Sequence, residues 1–443
     1  MSVRHATPTH RLAATELAAA TPATRDRYVD LLRGVSILAV VCGHWLMADI
    51  WWKNGHAGGT NALTLIHNSW ILTWVLQVMP LFFFVGGFSN STAWASVRTR
   101  GEGYASYLSG RVRRLMGPTA VFLLAWTVIA NVLIRWLGAP FEMAANIVAQ
   151  PLWFIGIYLV VVALAPPMLT LHKRYRIAVP LALGAMIIGA DGLRHGLGVP
   201  GIGWVNFPAM WLLAQQIGFF YADGSLTRLS RKTFAVAAAV GLGSLVALTA
   251  SGLYPKSMVG VPGEKMSNMT PPSVAMLAHT IWLVALAMII RAPAQRWLER
   301  RRVWTAVVAV NGLIMTTFLW HLTALLLGVT IFYPLNFPQP DAGTWEWWIT
   351  RPVWIGLLGL ILAGLVRLLL RYENAKGGRG SPATGAIGSA AGMALLVVGV
   401  LAFALGGFTG GPEPAGIPVV PLLQLGAVLG GVALLGARRS PAA

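Results

Sequence analysis

The chain has 443 residues, of which 56% are hydrophobic and only 11% are charged, and its formal net charge at pH 7 is +19. This composition excludes an ordinary soluble domain and predicts a polytopic membrane protein. The single cysteine, Cys42, excludes an intrachain disulfide and is interpreted as a packing residue.

The predicted elements are all α-helical. Residues 1–25 are interpreted as a disordered cytoplasmic tail, because their Ala, Thr and Pro content offers nothing to pack and they lack the apolar core of a signal peptide. Twelve apolar segments follow, at 31–50, 69–91, 117–137, 152–171, 177–191, 203–222, 233–251, 273–290, 304–332, 351–371, 386–408 and 417–436. The fifth is short for a hydrocarbon core of ~30 Å, and the ninth is long enough to tilt or break.

Basic residues between these segments predict the orientation of the chain. If the N-terminus is cytoplasmic, 27 of the 33 Lys and Arg residues fall on the cytoplasmic side. Cytoplasmic loops carry this excess in membrane proteins, so both termini are expected in the cytoplasm of a multi-pass cell-membrane protein. The net charge then reports topology, and nucleic acid is not an expected partner.

The first apolar segment carries two ionisable residues, Arg33 and His44, eleven positions apart. Eleven residues make about three helical turns, so both side chains project from one face, with His44 ~16 Å deeper in the membrane. Ionisable groups inside spans are costly and tend to be functional. The alternatives are a snorkelling interfacial anchor for Arg33 and a packing histidine for His44.

A second basic cluster precedes the third segment, in "SGRVRRLMGP". Arg111 and Arg114 stand at i and i+3, so their guanidinium groups can converge on one anion, and Arg suits bidentate phosphate contacts. The alternative is that this loop only carries the positive-inside bias.

Three further motifs lie in apolar segments. "PLFFFVGGFSNS" contains Gly86 and Gly87, which are typical of close helix packing. "PLWFIGIY" places Trp153 at the outer interface, where an aromatic belt is the default interpretation. "TTFLWHL" places a second intramembrane histidine, His321, for which a proton-handling role and simple packing are both open.

Together these residues resemble the acyltransferase-3 family of integral membrane acyltransferases. The resemblance is carried by the Arg33–His44 spacing, "FFFVGGF" at 82–88, the Arg-x-x-Arg of Arg111 and Arg114, "LWF" at 152–154 and "FLWH" at 318–321. It covers residues 26–372 and ten spans, which we take as the acyltransferase core. The family usually shows Ser-Tyr a few residues before the ninth-span histidine, where this chain has Ile314 and Met315. This departure bears on the role of His321 and on acceptor specificity more than on the donor side.

The resemblance implies transfer of an acyl group, commonly acetyl, from cytosolic acyl-CoA to a hydroxyl or amine of an extracytoplasmic glycan, glycolipid or similar acceptor. His44 would be the catalytic residue, as general base or as acylated nucleophile, and His321 is a second catalytic candidate. Arg33, Arg111 and Arg114 would bind the donor. Trp153 is taken as a candidate acceptor-binding residue.

Other predictions concern the rest of the chain. Residues 373–385 are interpreted as a cytoplasmic linker, and 386–443 as two extra helices that form a lipid-facing or oligomer-packing appendage. Because no soluble domain follows these helices in the sequence, we expect the protein to present its acceptor directly or to work with a separate acyl-handling partner. No metal is expected, because the nine histidines are scattered and show no H-E-x-x-H pattern. The alternative function is a secondary transporter or lipid translocator that uses Arg33 and His44 for substrate or proton coupling.

Overall fold

A computed structural model describes residues 14–22, 24–53, 56–373, 384–410 and 418–436. This part of the chain is almost entirely helical. In chain order the helices are α1 (Ala14–Ala19), α2 (Arg27–Met47), α3 (Ala62–Leu65), α4 (Trp70–Leu76), α5 (Met79–Thr99), α6 (Tyr104–Leu137), α7 (Ala139–Ala149), α8 (Leu152–Tyr175), α9 (Ala178–Gly196), α10 (Asn206–Ala222), α11 (Arg231–Ala250), α12 (Val274–Leu298), α13 (Arg301–Gly312), α14 (Ile314–Phe332), α15 (Trp345–Glu373), α16 (Ala386–Gly406) and α17 (Val419–Leu435). Two 3-10 turns lie at Ile202–Val205 and Leu226–Arg228.

The helices confirm an all-α polytopic membrane protein. Within the described ranges, nine helical stretches are long and apolar enough to cross a membrane. The predicted segments 177–191, 203–222 and 417–436 form the shorter or more polar helices α9, α10 and α17. Each of the twelve predicted segments therefore contains helix.

Two predicted segments are broken. The ninth breaks at Leu313, between α13 and α14. The second breaks between α4 and α5, where Gln77 accepts a hydrogen bond from the Met79 backbone at 3.1 Å and its own carbonyl lies 2.9 Å from His279 Nε2. A helix can break at membrane depth only where other protein groups take up the freed hydrogen bonds, and Gln77 and His279 do so here.

One small sheet follows α2. Strands β1 (Ala48–Lys53) and β2 (His56–Asn61) pair antiparallel, with Ala48 opposite Asn61. The Tyr333 hydroxyl donates to the Ile50 carbonyl at 2.7 Å and ties this hairpin to the end of α14. The all-α prediction did not include the hairpin.

Part of the predicted N-terminal tail is helical. Part of the tail predicted as disordered forms α1, in which Ala18 is buried and whose following Thr21 accepts a hydrogen bond from Trp304 Nε1 at 3.1 Å. Residues 1–13 and most of the predicted linker, 374–383, lie outside the described residues.

Helices α16 and α17 pack against the helices that precede them, α16 on α8 and α17 on α6. Leu401 of α16 packs directly on Gly156 of α8, where an added Cβ would lie 2.5 Å from the Leu401 side chain. After α16, the Phe408 ring contacts Phe122 and its carbonyl accepts from Asn131 Nδ2 at 3.0 Å, both on α6. The absence of charged residues led us to expect lipid-facing helices. Exposed side chains such as Leu405 agree with that expectation, whereas Leu401 shows that another face of α16 packs into the core.

Gly87 of α5 lies against α10, as the glycine pair predicts. A Cβ at Gly87 would stand 2.2 Å from the Gln215 carbonyl oxygen, and one at Gly218 would stand 2.1 Å from the Phe84 carbonyl oxygen. Neither carbonyl can move aside without shifting a helix. The contact fixes α5 against α10.

We therefore expect Gly87→Ala to destabilise the folded protein by about 1–3 kcal/mol, as overpacking of a tight contact does. Thermal unfolding in detergent micelles measures this as a lower midpoint. Gly110→Ala on α6 is the matched control, because no atom lies within 4 Å of its added Cβ and the helix gains propensity. Equal midpoints for the two variants would contradict the packing role of Gly87.

Candidate functional site

The two intramembrane histidines predicted from the sequence lie together. His44 of α2 and His321 of α14 stack with ring centroids 5.0 Å apart and an interplanar angle of 9°. His44 Nδ1 is 2.7 Å from His321 Nε2, which is hydrogen-bonding distance. Trp45 also ties the two helices, since its Nε1 donates to the His321 carbonyl at 2.8 Å.

The partners of these rings assign their protons. His321 Nδ1 lies 2.5 Å from the Phe318 carbonyl oxygen, which can only accept, so Nδ1 carries the hydrogen. In a neutral His321, Nε2 must then be the acceptor, and His44 Nδ1 donates to it. The Nε2 of His44 is left with its lone pair. The pair thus presents a base or nucleophile at a defined atom.

That atom belongs to a ring on a large cavity. The cavity has a volume of about 740 Å³, and His44 lines it together with Trp153, Phe154 and Phe318. His321 is fully buried behind His44 and is not part of the lining. Of the two histidines, His44 is therefore the one that can meet a substrate.

Arg33 lies at the other end of the same helix face, where the eleven-residue spacing predicts it. Its guanidinium pairs with Asp30 at 3.0 Å and donates to Ser89 Oγ at 2.6 Å. Asp30 is also paired with Arg25 at 2.6 Å. One carboxylate shared by two guanidiniums leaves a local excess of positive charge.

Arg111 joins this positive region. Arg111 donates to the Tyr158 hydroxyl at 2.6 Å, and both Arg111 and Tyr158 lie close enough to Arg33 to interact with it electrostatically. Arg114 is exposed. The structure adds the proximity of Arg111 to Arg33, and the convergence of Arg111 and Arg114 on one anion stays a prediction.

Aromatic rings connect the positive region to the histidines. Tyr158 stacks near Phe154 at 5.9 Å between centroids, and Phe154 contacts Phe318 at 5.2 Å. Phe318 in turn contacts His321 at 6.0 Å. Gly86 gives Tyr158 room, because an added Cβ there would lie 3.2 Å from the Tyr158 ring.

Sequence reasoning missed Tyr158, Ser89 and Asp30. Tyr158 stands in the quoted "PLWFIGIY", one turn after Phe154 and on its helix face, so helical spacing could have indicated it. Ser89 follows the glycine pair and gave no signal of its own. Asp30 lies three residues before Arg33, the spacing of a helical ion pair.

The described residues place no group of three or more His, Cys, Asp or Glu side chains where they could hold a metal ion. The chemical groups that the structure describes at the site are an imidazole on a cavity and a guanidinium group at the other end of the same helix.

Comparison with protein-family models matches residues 26–372 to a family described as an acyltransferase domain, acyltransferase-3. The match covers more than half of the chain and includes Arg33, His44, Arg111 and His321. No curated protein and no solved structure shows a significant match to the chain.

Proposed function

The chain belongs to the acyltransferase-3 family and is a membrane acyltransferase, and we propose that it transfers an acyl group, acetyl in the simplest case, from cytosolic acyl-CoA to a hydroxyl of an extracytoplasmic carbohydrate or glycolipid. The observation that carries this proposal is the histidine pair, with His44 Nδ1 2.7 Å from His321 Nε2 and the His44 ring on the cavity.

The proposed chemistry uses one atom of the enzyme as a base. His44 Nε2 takes the proton of the acceptor hydroxyl, whose oxygen attacks the thioester carbonyl. A new ester C–O bond forms and the thioester C–S bond breaks. The departing CoA thiolate receives the proton from His44, so the imidazole returns to its starting state.

His321 supports this step without touching the substrate. When His44 accepts a proton it becomes a cation, and its Nδ1–H then donates a charge-assisted hydrogen bond to His321 Nε2. The Phe318 carbonyl holds His321 in the tautomer that can accept it. His321 is thus a positioning residue. The acyl-histidine route, in which His44 Nε2 attacks the thioester itself, uses the same atom and the same support.

Donor binding is assigned to the positive region. Guanidinium groups bind the several phosphates of a CoA nucleotide well, and Arg33 and Arg111 lie at the end of α2 that the basic loops predict to be cytoplasmic. The acyl arm would then run past Tyr158 and Phe154 towards His44.

We expect acyl-CoA to raise the thermal unfolding midpoint of the purified protein, and Arg111→Ala to reduce that rise more than Arg114→Ala does. Arg111 interacts electrostatically with Arg33, whereas Arg114 is exposed, and a ligand that binds the folded state stabilises it by mass action. The loss should be larger at low salt, because phosphate attraction is screened by ions. Arg296→Ala, an exposed arginine of α12, is the control. Equal midpoint rises in Arg111→Ala and Arg296→Ala would contradict the donor site.

The orientation of the chain in the membrane can be tested by the accessibility of tags. A tag at the C-terminus should be protected from an impermeant reagent in intact cells, whereas a tag inserted between α14 and α15 should react, because the basic loops hold the other side in the cytoplasm. A reactive C-terminal tag would place Arg33 outside the cell and remove the basis for a cytosolic donor.

The direct test of the function is CoA release that depends on an acceptor. Wild-type protein should release CoA from acetyl-CoA and leave the acetyl group covalently bound to a membrane or wall component, measured by mass spectrometry of both. The transporter alternative predicts movement of a solute without any CoA release.

A further inference from the structure

Helix α16 lies outside the matched family region, yet it forms one wall of the cavity that holds His44. Leu401, Ala404 and Leu405 of this helix line the cavity. Leu401 is seated on Gly156 of α8, in the place that a side chain at Gly156 would occupy. The cavity in this chain is therefore shaped by residues that lie beyond the acyltransferase domain.

Most of the lining is apolar or aromatic. Among the described residues around the cavity there is no Asp, Glu, Lys or Arg, and apart from His44 its polar side chains are Asn61, Ser69, Thr73, Gln77, Gln150 and Thr270, to which Trp153, Trp204, Trp347 and Trp348 add indole N–H groups. Several are already engaged: Thr73 donates to the Trp70 carbonyl, and the Gln77 amide contacts Met269 Sδ. Sugar hydroxyls buried against the aliphatic part of the lining, along Leu401, Ala404 and Leu405, would lack partners, at a cost in free energy. An apolar chain would lose nothing there.

The edge of the cavity is apolar and exposed. Leu405 is 86% exposed, Trp204 is 56% exposed and Trp348 is 42% exposed, and each of them lines the cavity. Since α16 is long and apolar enough to cross a membrane, we expect the exposed Leu405 side chain, in its last turn, to lie at the lipid boundary. The cavity thus has an apolar edge through which a hydrocarbon chain could enter from the bilayer.

A polar cleft adjoins the cavity. Its volume is about 390 Å³, and it shares Leu63, Ile66 and Ser69 with the cavity lining. Lys256 and Glu264 are among its other residues. A polar cleft beside an apolar cavity matches a molecule with a polar head and an apolar chain.

We propose that the acceptor is a membrane-embedded amphiphile, a hydroxyl-bearing headgroup on a hydrocarbon chain, and that α16 sets its specificity by contacting the chain. The headgroup lies at the junction of cleft and cavity, within reach of His44, and the chain lies along Leu401, Ala404 and Leu405. This inference rests on the proposed acyl transfer, selects the membrane-embedded acceptor from the two proposed classes, carbohydrate and glycolipid, and assigns α16 the contact with its hydrocarbon chain.

The test supplies radiolabelled acetyl-CoA to membranes of the native cells and partitions the product between organic solvent, water and the wall residue. Label that depends on His44 should enter the organic phase. Ala404→Trp should lower this label about tenfold, because a side chain that fills part of an apolar pocket lowers the rate of transfer to a bound acceptor by about that factor. Val398→Trp, on the same helix but 62% exposed and outside the lining, is the control and should retain it.

Each other outcome has a separate meaning. Label in the water-soluble or wall fraction would overturn the lipid acceptor while leaving acyl transfer intact. Equal organic label in the Ala404→Trp and Val398→Trp variants would overturn the role of α16. No His44-dependent CoA release at all would contradict the proposed function itself. Stabilisation by acetyl-CoA verifies that each variant is folded, and Leu401→Ala, which enlarges the pocket, supplies a second variant with an expected shift towards bulkier lipids.

Discussion

Replacing His44 by Gln should abolish acyl transfer while leaving the folded protein and its donor binding intact. Gln keeps polarity and approximate size, but its amide cannot accept a proton from a hydroxyl or form an acyl-imidazole. General-base assistance is typically worth 10²–10⁴-fold, so the rate of CoA release per folded molecule should fall by at least about that factor. His44→Ala should lose as much.

The matched control is His279→Gln on α12. His279 is likewise a histidine within an apolar helix, but it is fully buried, bonds the Gln77 carbonyl at 2.9 Å and does not line the cavity. Its replacement should change stability and leave turnover per folded molecule near the wild-type value. A packing role for His44 predicts the opposite pattern, with Gln tolerated and activity falling only with the amount of folded protein. Near-normal turnover in His44→Gln would refute the catalytic assignment.

The second large effect is expected at His321, where Ala and Gln should differ. Ala removes the acceptor for His44 Nδ1–H, and a hydrogen bond to a charged group contributes about 1.5–3 kcal/mol, which corresponds to roughly 10- to 100-fold in rate. A Gln side chain has both an acceptor oxygen and a donor N–H, so it can take over the contacts to His44 and Phe318. His321→Gln should therefore retain much of the activity that His321→Ala loses.

The pH dependence of kcat/KM distinguishes a positioning role of His321 from a purely structural one. Loss of the His321 acceptor makes the His44 cation less stable, so the rising limb of the profile should move to lower pH in His321→Ala and return towards wild type in His321→Gln. A purely structural role would lower the amount of folded protein and leave the profile of the remaining enzyme unchanged. Equal loss in His321→Ala and His321→Gln, with unaltered profiles, would contradict the positioning role.

Much of the fold was predictable because membrane spans are encoded locally. Twenty or so apolar residues must form a helix in lipid whatever lies next to them, so segment positions follow from the sequence. The hairpin after α2 and the helix α1 depend instead on contacts with distant residues, such as Tyr333 and Trp304. Local composition does not contain those contacts.

The sequence indicates candidate residues for the site but does not indicate how they pair. Helical spacing places Arg33 and His44 on one face of α2. The free-energy cost of placing an ionisable side chain inside the membrane marks His321 as unusual. His44 and His321 are 277 positions apart, and the hydrogen bond between them depends on how α2 packs on α14. The wall from α16 was missed because its apolar residues look the same whether they face lipid or a substrate.

The measurement that tests acyl transfer through His44 most directly uses sealed vesicles of both orientations with radiolabelled acetyl-CoA outside. Inside-out vesicles carrying wild-type protein should transfer label to an acceptor, because their exposed face is the proposed cytoplasmic one with Arg33 and Arg111. Right-side-out vesicles, and inside-out vesicles carrying His44→Gln, should transfer none. Equal labelling by wild type and His44→Gln, or labelling confined to right-side-out vesicles, would contradict a cytosolic donor acting at His44.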